Sequence, residues 1–379
     1  MNQKDKSQVA LIKCLSYEEE ELKAALQQGF DLLGGLDKFI VKDEKILLKP
    51  NFLSANISSK YTTTSHELFG AVCKLLLPYS DQLFYGDSPA TQSMQQVAAK
   101  CGIAGTAQEL GVQAADFRTG ISVKCPPSFQ NSHFTLAKGV LEADAIISLP
   151  RMKTHGLTKM TGAVKNQMGY LPGLIKASYH ARMPDVNVFS RMLAELNVLK
   201  RPRLFIMDAI IAMEGNGPGN GTAKPMNLLI ISDDPIAVDA TACRLMNLDP
   251  TLVKTNLRGQ ELSLGEYAAD KIEILGEKIE DHIAYDFRVH RQPKPSFLVR
   301  FMGSAGRLVM RRPYIDKKLC NHCGLCVEIC PVNPKALSQQ DQKSIPVYDY
   351  NKCIHCFCCQ ELCPQGAVKI KSPWQLWHK

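Results

Sequence analysis

The stretch Cys320-Asn321-His322-Cys323-Gly324-Leu325-Cys326-Val327-Glu328-Ile329-Cys330-Pro331 recurs 33 residues later as Cys353-Ile354-His355-Cys356-Phe357-Cys358-Cys359-Gln360-Glu361-Leu362-Cys363-Pro364. In each run three cysteines stand at two-residue gaps, and a fourth follows three residues on with proline behind it. Three thiolates so spaced wrap a loop around three corners of an iron-sulfur cubane. The same loop cannot easily return to the fourth corner, so the fourth ligand comes from elsewhere. Zinc takes four ligands and fits three cysteines plus a distant fourth poorly. Disulfides fit worse, because nine of the 14 cysteines crowd into the last 60 residues and the start of the sequence, MNQKDKSQVALIKC, is too polar for an export signal. Cys358 stands outside the repeat and reads as a packing thiol. His322 and His355 read as solvent-facing residues of the loops or as tuners of potential. Cys14, Cys73, Cys101, Cys125 and Cys243 are scattered singly and read as core.

Upstream of the repeat, Phe287 to Ile315 holds no acidic residue and seven basic ones, Arg288, Arg291, Lys294, Arg300, Arg307, Arg311 and Arg312. That segment accounts for nearly all of the formal charge of +8. Pro293, Pro295 and Pro313 punctuate it around an apolar run, FLVRFMGSAGRLVM, which predicts a short helix. We divide the chain there: 1–287, a basic connector over 288–313, and 314–379. The connector reads either as a helix packed on its own protein or as a docking surface for an acidic partner or anionic lipid. The 379 residues allow two or three domains at about 150 residues each. With 45% apolar and 22% charged residues, the bulk of the chain is globular. No stretch reaches the ~18 apolar residues of a membrane span, and the expected location is cytoplasmic.

Before the connector, apolar runs alternate with longer amphipathic stretches, which predicts an α/β fold: a mostly parallel sheet with flanking helices. Strands are expected at QVALIKC from Gln8, KILLKP from Lys45, QLFYG from Gln82, AIISLP from Ala145, RLFIMDAI from Arg203 and MNLLIIS from Met226. Helices are expected from Tyr17 to Leu33 and from Pro235 to Met246, the latter capped by Asp233 or Asp234.

In such sheets ligands bind at the carboxyl ends of the strands, and polar segments follow the strands here. They are Lys49-Pro50-Asn51, Gly86-Asp87-Ser88-Pro89, Pro150-Arg151-Met152-Lys153-Thr154-His155, Gly162-Ala163-Val164-Lys165-Asn166-Gln167, the glycine-rich Glu214–Gly221, and Asp233-Asp234-Pro235 leading to Asp239. All are expected to converge on one pocket. Lys49, Asn51, Asp87, Lys153, Lys165 and Asn166 are the candidate substrate-binding residues for an anionic small molecule. His155 is the candidate proton donor, with Arg151 and His180 nearby. The loop Gly215–Gly221 matches neither the Walker pattern nor GxGxxG, so it reads as an anion cradle or as a tight turn. There is no CxxxCxxC, dinucleotide fingerprint or GxSxG elbow.

The segments KPN, GDSPA, LPRMKTHGLTKMTGAVKN, AMEGNGPGNG and DDPIAVDA resemble the domain-of-unknown-function 362 family, whose members often carry a C-terminal ferredoxin module. The C-terminal repeat is similar to two-cluster bacterial-type ferredoxins, which implies a small α+β domain. In those proteins the fourth cysteine of each run ligates the other cluster. The resemblance therefore implies two 4Fe-4S clusters, one on Cys320, Cys323, Cys326 and Cys363 and the other on Cys330, Cys353, Cys356 and Cys359. It brings no established reaction.

Two readings of function follow. In one, the clusters pass electrons between a redox partner protein and an α/β domain that acts as an iron-sulfur oxidoreductase on an anion. In the other, the chain is a non-catalytic, specialised ferredoxin whose α/β domain docks a partner enzyme. Nucleic-acid binding is not expected, since the positive charge is confined to the connector and no RRM-like aromatic motif is present.

Overall fold

The computed structural model describes residues 6–55, 61–89, 92–173, 175–292 and 311–371. The connector helix expected over 297–310 lies outside the described residues.

Among the described residues the strands run in chain order. They are β1 (Ser7–Lys13), β2 (Ile46–Pro50), β3 (Leu83–Tyr85), β4 (Gln113–Ala114), β5 (Gly120–Lys124), β6 (His133–Ala137), β7 (Ala145–Leu149) and β8 (Arg151–His155), then β9 (Lys159–Thr161), β10 (Leu204–Glu214), β11 (Thr222–Ser232) and β12 (Ile272–Gly276). β5 and β6 form a separate hairpin, and the others make one sheet in the order β12-β1-β11-β10-β7-β2-β3-β4, with β8 on β10 and β9 on β8. The path from β10 through β7, β2 and β3 to β4 is parallel. β11 runs antiparallel to both β10 and β1.

Side-chain alternation along each strand divides the apolar residues between the two faces. On β1, Ala10 and Ile12 enter the core on one side of the sheet, while Val9 and Leu11 enter the core on the other. Helices cover both faces. The first, Glu19–Leu32, opens with Glu19, Glu20 and Glu21 in its first turn, where negative charge suits the positive end of the helix dipole. The helix Pro235–Leu245 is capped by Asp234, whose carboxylate accepts from the N–H groups of Ile236 and Ala237.

Two expectations need correction. Arg151–His155 is not a loop but a buried strand. It continues the line of β7 past Pro150 and pairs with the half of β10 that projects beyond the sheet. Secondly, Asp233 and Asp234 do not join the other strand ends. β11 is antiparallel, so its carboxyl end lies at the opposite edge, where both aspartates line a separate cleft of about 890 Å³ with Lys38 and Arg201.

The C-terminal region is built from two short antiparallel pairs, β13 (Arg312–Ile315) with β16 (Val368–Lys371) and β14 (Leu337–Ser338) with β15 (Val347–Tyr348). One-turn helices Leu325–Glu328 and Cys358–Glu361 follow the Cys-x-x-Cys loops. The sequence repeat is also a backbone repeat: His322 and His355 both have positive φ, as do Gly324 and Phe357 two residues on. The second run thus holds a phenylalanine where the first has glycine, at a φ of 62° that non-glycine residues seldom adopt. Phe357 is buried in the main apolar core of the α/β domain, which offsets that strain and fixes the second run against the larger domain. Of the described basic connector residues, Arg288 pairs with Glu214 at 2.7 Å, Arg291 donates to the carbonyls of Met246, Asn247 and Phe287, and Arg312 lies over the Tyr350 ring. These three are engaged within the chain.

Candidate functional site

Alternation along β8 puts Arg151, Lys153 and His155 on one face. All three are buried. Both terminal nitrogens of Arg151 are committed to structure, while its Nε has no hydrogen-bond partner among the described residues. Its Nη1 donates to Asp208 Oδ2 at 2.7 Å and to the carbonyl of Thr63, and its Nη2 donates to the Tyr17 hydroxyl and the carbonyl of Ile211. Tyr17 in turn donates to Asp208 Oδ1 at 2.8 Å.

Lys153 differs. Its Nζ donates to Asn51 Oδ1 at 2.5 Å and to the Thr62 carbonyl at 2.6 Å, both neutral acceptors. Burial, followed by the nearby charges of Arg151 and Lys165, lowers its pKa to about 7. From Asn51 a hydrogen-bonded chain runs inward. Asn51 Nδ2 donates to Asn166 Oδ1 at 3.2 Å, Lys49 Nζ donates to the same oxygen at 3.4 Å, and Lys49 Nζ also donates to Asp87 Oδ1 at 2.9 Å. Asp87 further accepts from the N–H groups of Phe52 and Ser88. Gly169 lies directly on this pair: a Cβ there would fall 1.6 Å from Asp87 Oδ1. Five of the six residues singled out as an anion site therefore form one buried network, in which Lys49 and Asp87 already neutralise each other.

The sixth, Lys165, points to the C-terminal module. Its Nζ lies 3.6 Å from Glu361 Oε1, and His155 Nε2 lies 3.3 Å from Glu361 Oε2. His155 Nδ1 accepts from the backbone N–H groups of Leu157 and Thr158. Its proton is therefore on Nε2, directed at Glu361. Burial, with Lys165 adding to it, pushes the imidazole down to about 4, so the ring is neutral at physiological pH. Although burial alone would raise the Glu361 carboxyl, Lys165 and His155 hold it well below the usual carboxylate range.

Glu361 belongs to a docked segment. Gln360 Nε2 donates to Asn216 Oδ1 at 2.9 Å and to the Gly217 carbonyl at 3.0 Å, and Asn220 Nδ2 donates to the Cys363 carbonyl at 2.9 Å. Gly217 packs on Thr154, where a Cβ would lie 2.3 Å from the Thr154 carbonyl oxygen. The glycine-rich loop thus presents its polar groups to the module, and its close backbone approach is to β8. Glu214 holds Arg288, and Asp239 accepts from the N–H groups of Ala163 and Val164, so neither pairs with Lys153 or Lys165. Glu361→Ala is expected to loosen this junction. Amide exchange over 356–361 and 155–165 should rise by at least about tenfold, as loss of a charge-assisted contact of ~1.5 to 3 kcal/mol implies. Unchanged exchange would show that Gln360 and Asn220 hold the module without it.

In the module, Cys320, Cys323, Cys326 and Cys363 line one cavity together with Ile315, Pro364 and Val368. Cys353 lies in the electrostatic range of Cys356 and Cys330, and Cys359 in that of Cys356 and Cys353. The Tyr348 hydroxyl donates to Cys359 Sγ at 3.2 Å, and the Ala336 N–H to Cys330 Sγ at 3.4 Å, contacts that favour thiolates. The residues present fit an iron-sulfur cluster. Sequence reasoning missed Glu361, because a glutamate inside a cysteine run signals nothing until the module is docked. It also missed Tyr17, which comes from a loop and not from a strand end.

Comparison with known proteins agrees with this architecture. The family described as a domain of unknown function (DUF362) matches residues 46–244, and a 4Fe-4S dicluster domain matches 312–364. A thylakoid-associated protein of Synechocystis sp. is 36% identical over 263 residues, 69% of this chain and 81% of that protein. Among solved structures, the lactate racemase apoprotein of Thermoanaerobacterium thermosaccharolyticum gives a TM-score of 0.41 at 11% identity, over 62% of this chain and 56% of that one. A protein from Thermotoga maritima gives 0.37 at 14% identity, over 65% and 59%. This chain spans less than two thirds of either structure. Among the described residues no helix is long and apolar enough to cross a membrane. With its family model covering more than half of its length and followed by an iron-sulfur module, the chain belongs to the DUF362 family.

Proposed function

We propose that this is a cytoplasmic electron-transfer protein that carries two 4Fe-4S clusters and binds an anionic small molecule at the strand ends of its α/β domain, on which it acts as an oxidoreductase. The observation that carries the reading is the Glu361 contact. A carboxylate two residues from Cys359 reaches His155 of β8 and Lys165 of the short helix Ala163–Asn166, so the second cysteine run lies against the strand-end network. Cys320, Cys323, Cys326 and Cys363 would hold one cluster and Cys330, Cys353, Cys356 and Cys359 the other. When bound, such clusters supply one-electron chemistry. The chain's own residues do the rest: Lys153 and Lys165 draw an anion to the strand ends, Asn51 and Asn166 orient it, and Phe357 and Gln360 hold the module in place. Cys323 is exposed whereas Cys356 and Cys359 are buried, so the first run is the side from which a redox partner protein would exchange electrons.

Anaerobically purified protein is expected to contain about eight iron and eight sulfide per chain; zinc in place of iron would overturn the reading of the module. Lys153→Ala is expected to weaken binding of an anion by at least about tenfold, the loss of one charged hydrogen bond, with iron content unchanged. If no anion protects the wild-type protein against heat, the α/β domain is a docking module and the chain a specialised ferredoxin.

A further inference from the structure

The two halves of the C-terminal module match beyond their cysteines. Pro313-Tyr314-Ile315-Asp316 ends four residues before Cys320, and Pro346-Val347-Tyr348-Asp349 ends four residues before Cys353, at the same 33-residue offset. The backbone follows the match. Asp316 N–H donates to the Ala367 carbonyl at 2.7 Å, and Asp349 N–H donates to the Ala336 carbonyl at 2.8 Å. Asp316 Oδ1 accepts from the Lys318 N–H, and Asp349 Oδ1 accepts from the Asn351 N–H. Ile315 pairs with Val368 across β13 and β16, as Tyr348 pairs with Leu337 across β14 and β15. Ile315 and Tyr348 therefore hold the same place in the two halves.

What they offer there differs. Ile315 lines the cavity of Cys320, Cys323, Cys326 and Cys363 with a hydrocarbon side chain, which has no donor to give. Tyr348 carries a hydroxyl that donates to Cys359 Sγ at 3.2 Å. Its half-buried ring is held in place by Tyr350, the two rings lying 5.3 Å apart with planes 12° apart. Tyr350 is fixed in turn by its own hydroxyl, which donates to the Pro313 carbonyl at 2.8 Å, and by Arg312 over its ring.

An iron-sulfur cluster that takes up an electron gains negative charge, part of it on its thiolate ligands. A donor to a thiolate stabilises that charge and raises the reduction potential, whereas burial disfavours the charge and lowers the potential. Cys356 and Cys359 are buried and Cys323 is exposed. Burial alone would leave an electron on the first run, away from the α/β domain.

We propose that the Tyr348 hydroxyl, acting through Cys359, raises the reduction potential of the second-run cluster above the value its burial would give, which favours passage of an electron from the exposed first run toward the side docked on the α/β domain. One electron moves, supplied by a one-electron donor protein; no bond breaks, and the tyrosine keeps its proton. The inference rests on the reading of the chain as a two-cluster electron-transfer protein.

Redox titration of the anaerobic full chain, followed by paramagnetic resonance, tests it. Tyr348→Phe deletes one oxygen and keeps the stacked ring. It should lower the midpoint of the cluster that Cys363→Ala retains by about tenfold in the reduction equilibrium, ~59 mV for one electron, with the other midpoint and the iron content unchanged. Tyr350→Phe removes a hydroxyl bound to a carbonyl and should move neither midpoint. Wild-type potentials in Tyr348→Phe, or a shift confined to the other cluster, would overturn the inference and leave the two clusters standing. An equal shift in Tyr350→Phe would overturn it as well, by tracing the effect to packing. If Tyr348→Phe loses iron, the wild type decides: brief transfer of the reduced protein to D2O should remove a hydroxyl proton coupling from the electron–nuclear double resonance of the second-run cluster, and the lack of such a coupling would overturn the inference. A chain without reducible clusters would overturn both the inference and the reading beneath it.

Discussion

Cys363→Ala is expected to lower iron from about eight to about four per chain and to remove the cluster whose other ligands are Cys320, Cys323 and Cys326. Cys330→Ala is expected to remove the other one. The structure supplies the reason for the first crossing: Cys363, from the second run, lines the same cavity as the three leading cysteines of the first. For the second, Cys330 lies in the electrostatic range of Cys353. The two variants should therefore lose different halves of the spectrum. Paramagnetic resonance of the reduced protein, in which two intact clusters couple magnetically, separates them. If Cys363→Ala instead emptied the site built on Cys353, Cys356 and Cys359, each run would serve its own cluster and the crossed assignment would be abandoned. Secondary loss is also expected. The module has a small apolar cluster, Cys326, Leu337, Cys359 and Val368 with a few partly buried neighbours, so metal binding contributes much of its folding free energy. Chelation of all iron should unfold residues 312–371 and expose Glu361 to solvent.

The second large effect is expected at Asp208. Asp208→Ala leaves Arg151 buried with a full charge and no carboxylate, a change that costs about 3 to 5 kcal/mol in comparable buried pairs. It also removes the acceptor of the Tyr17 hydroxyl and of the Ser65 N–H. The melting temperature of the α/β domain should fall by on the order of 10 °C. A loss below about 1 kcal/mol would mean that Arg151 is reached by solvent or ligand and belongs with the binding cations after all.

The cysteine runs and the strands were legible in the sequence because each rests on local periodicity. Ligand spacing is set by the size of a cluster, and short apolar runs such as Ala145–Leu149 and Leu204–Ile210 suit strands buried on both faces. Lys49, Asn51, Asp87, Lys153 and Asn166 were found together for the same reason, since parallel strands deliver their carboxyl ends to one edge. Arg151–His155 was not legible as a strand. Three of its five residues carry polar groups on one face, a pattern that reads as a loop until a projecting β10 supplies the partner backbone. The antiparallel course of β11 was equally hidden, because strand direction depends on which neighbour a chain returns to and not on its composition. For that reason Asp233 and Asp234 went to the wrong edge. Pairing, lastly, belongs to tertiary structure alone. Sequence places lysines, but only the folded chain shows that Asp87 and Glu361, one of them from the far end of the protein, pair with Lys49 and Lys165, whereas Lys153 donates to neutral oxygens. Charge balance is set by distances of a few ångströms between residues remote in sequence, and no local pattern encodes it.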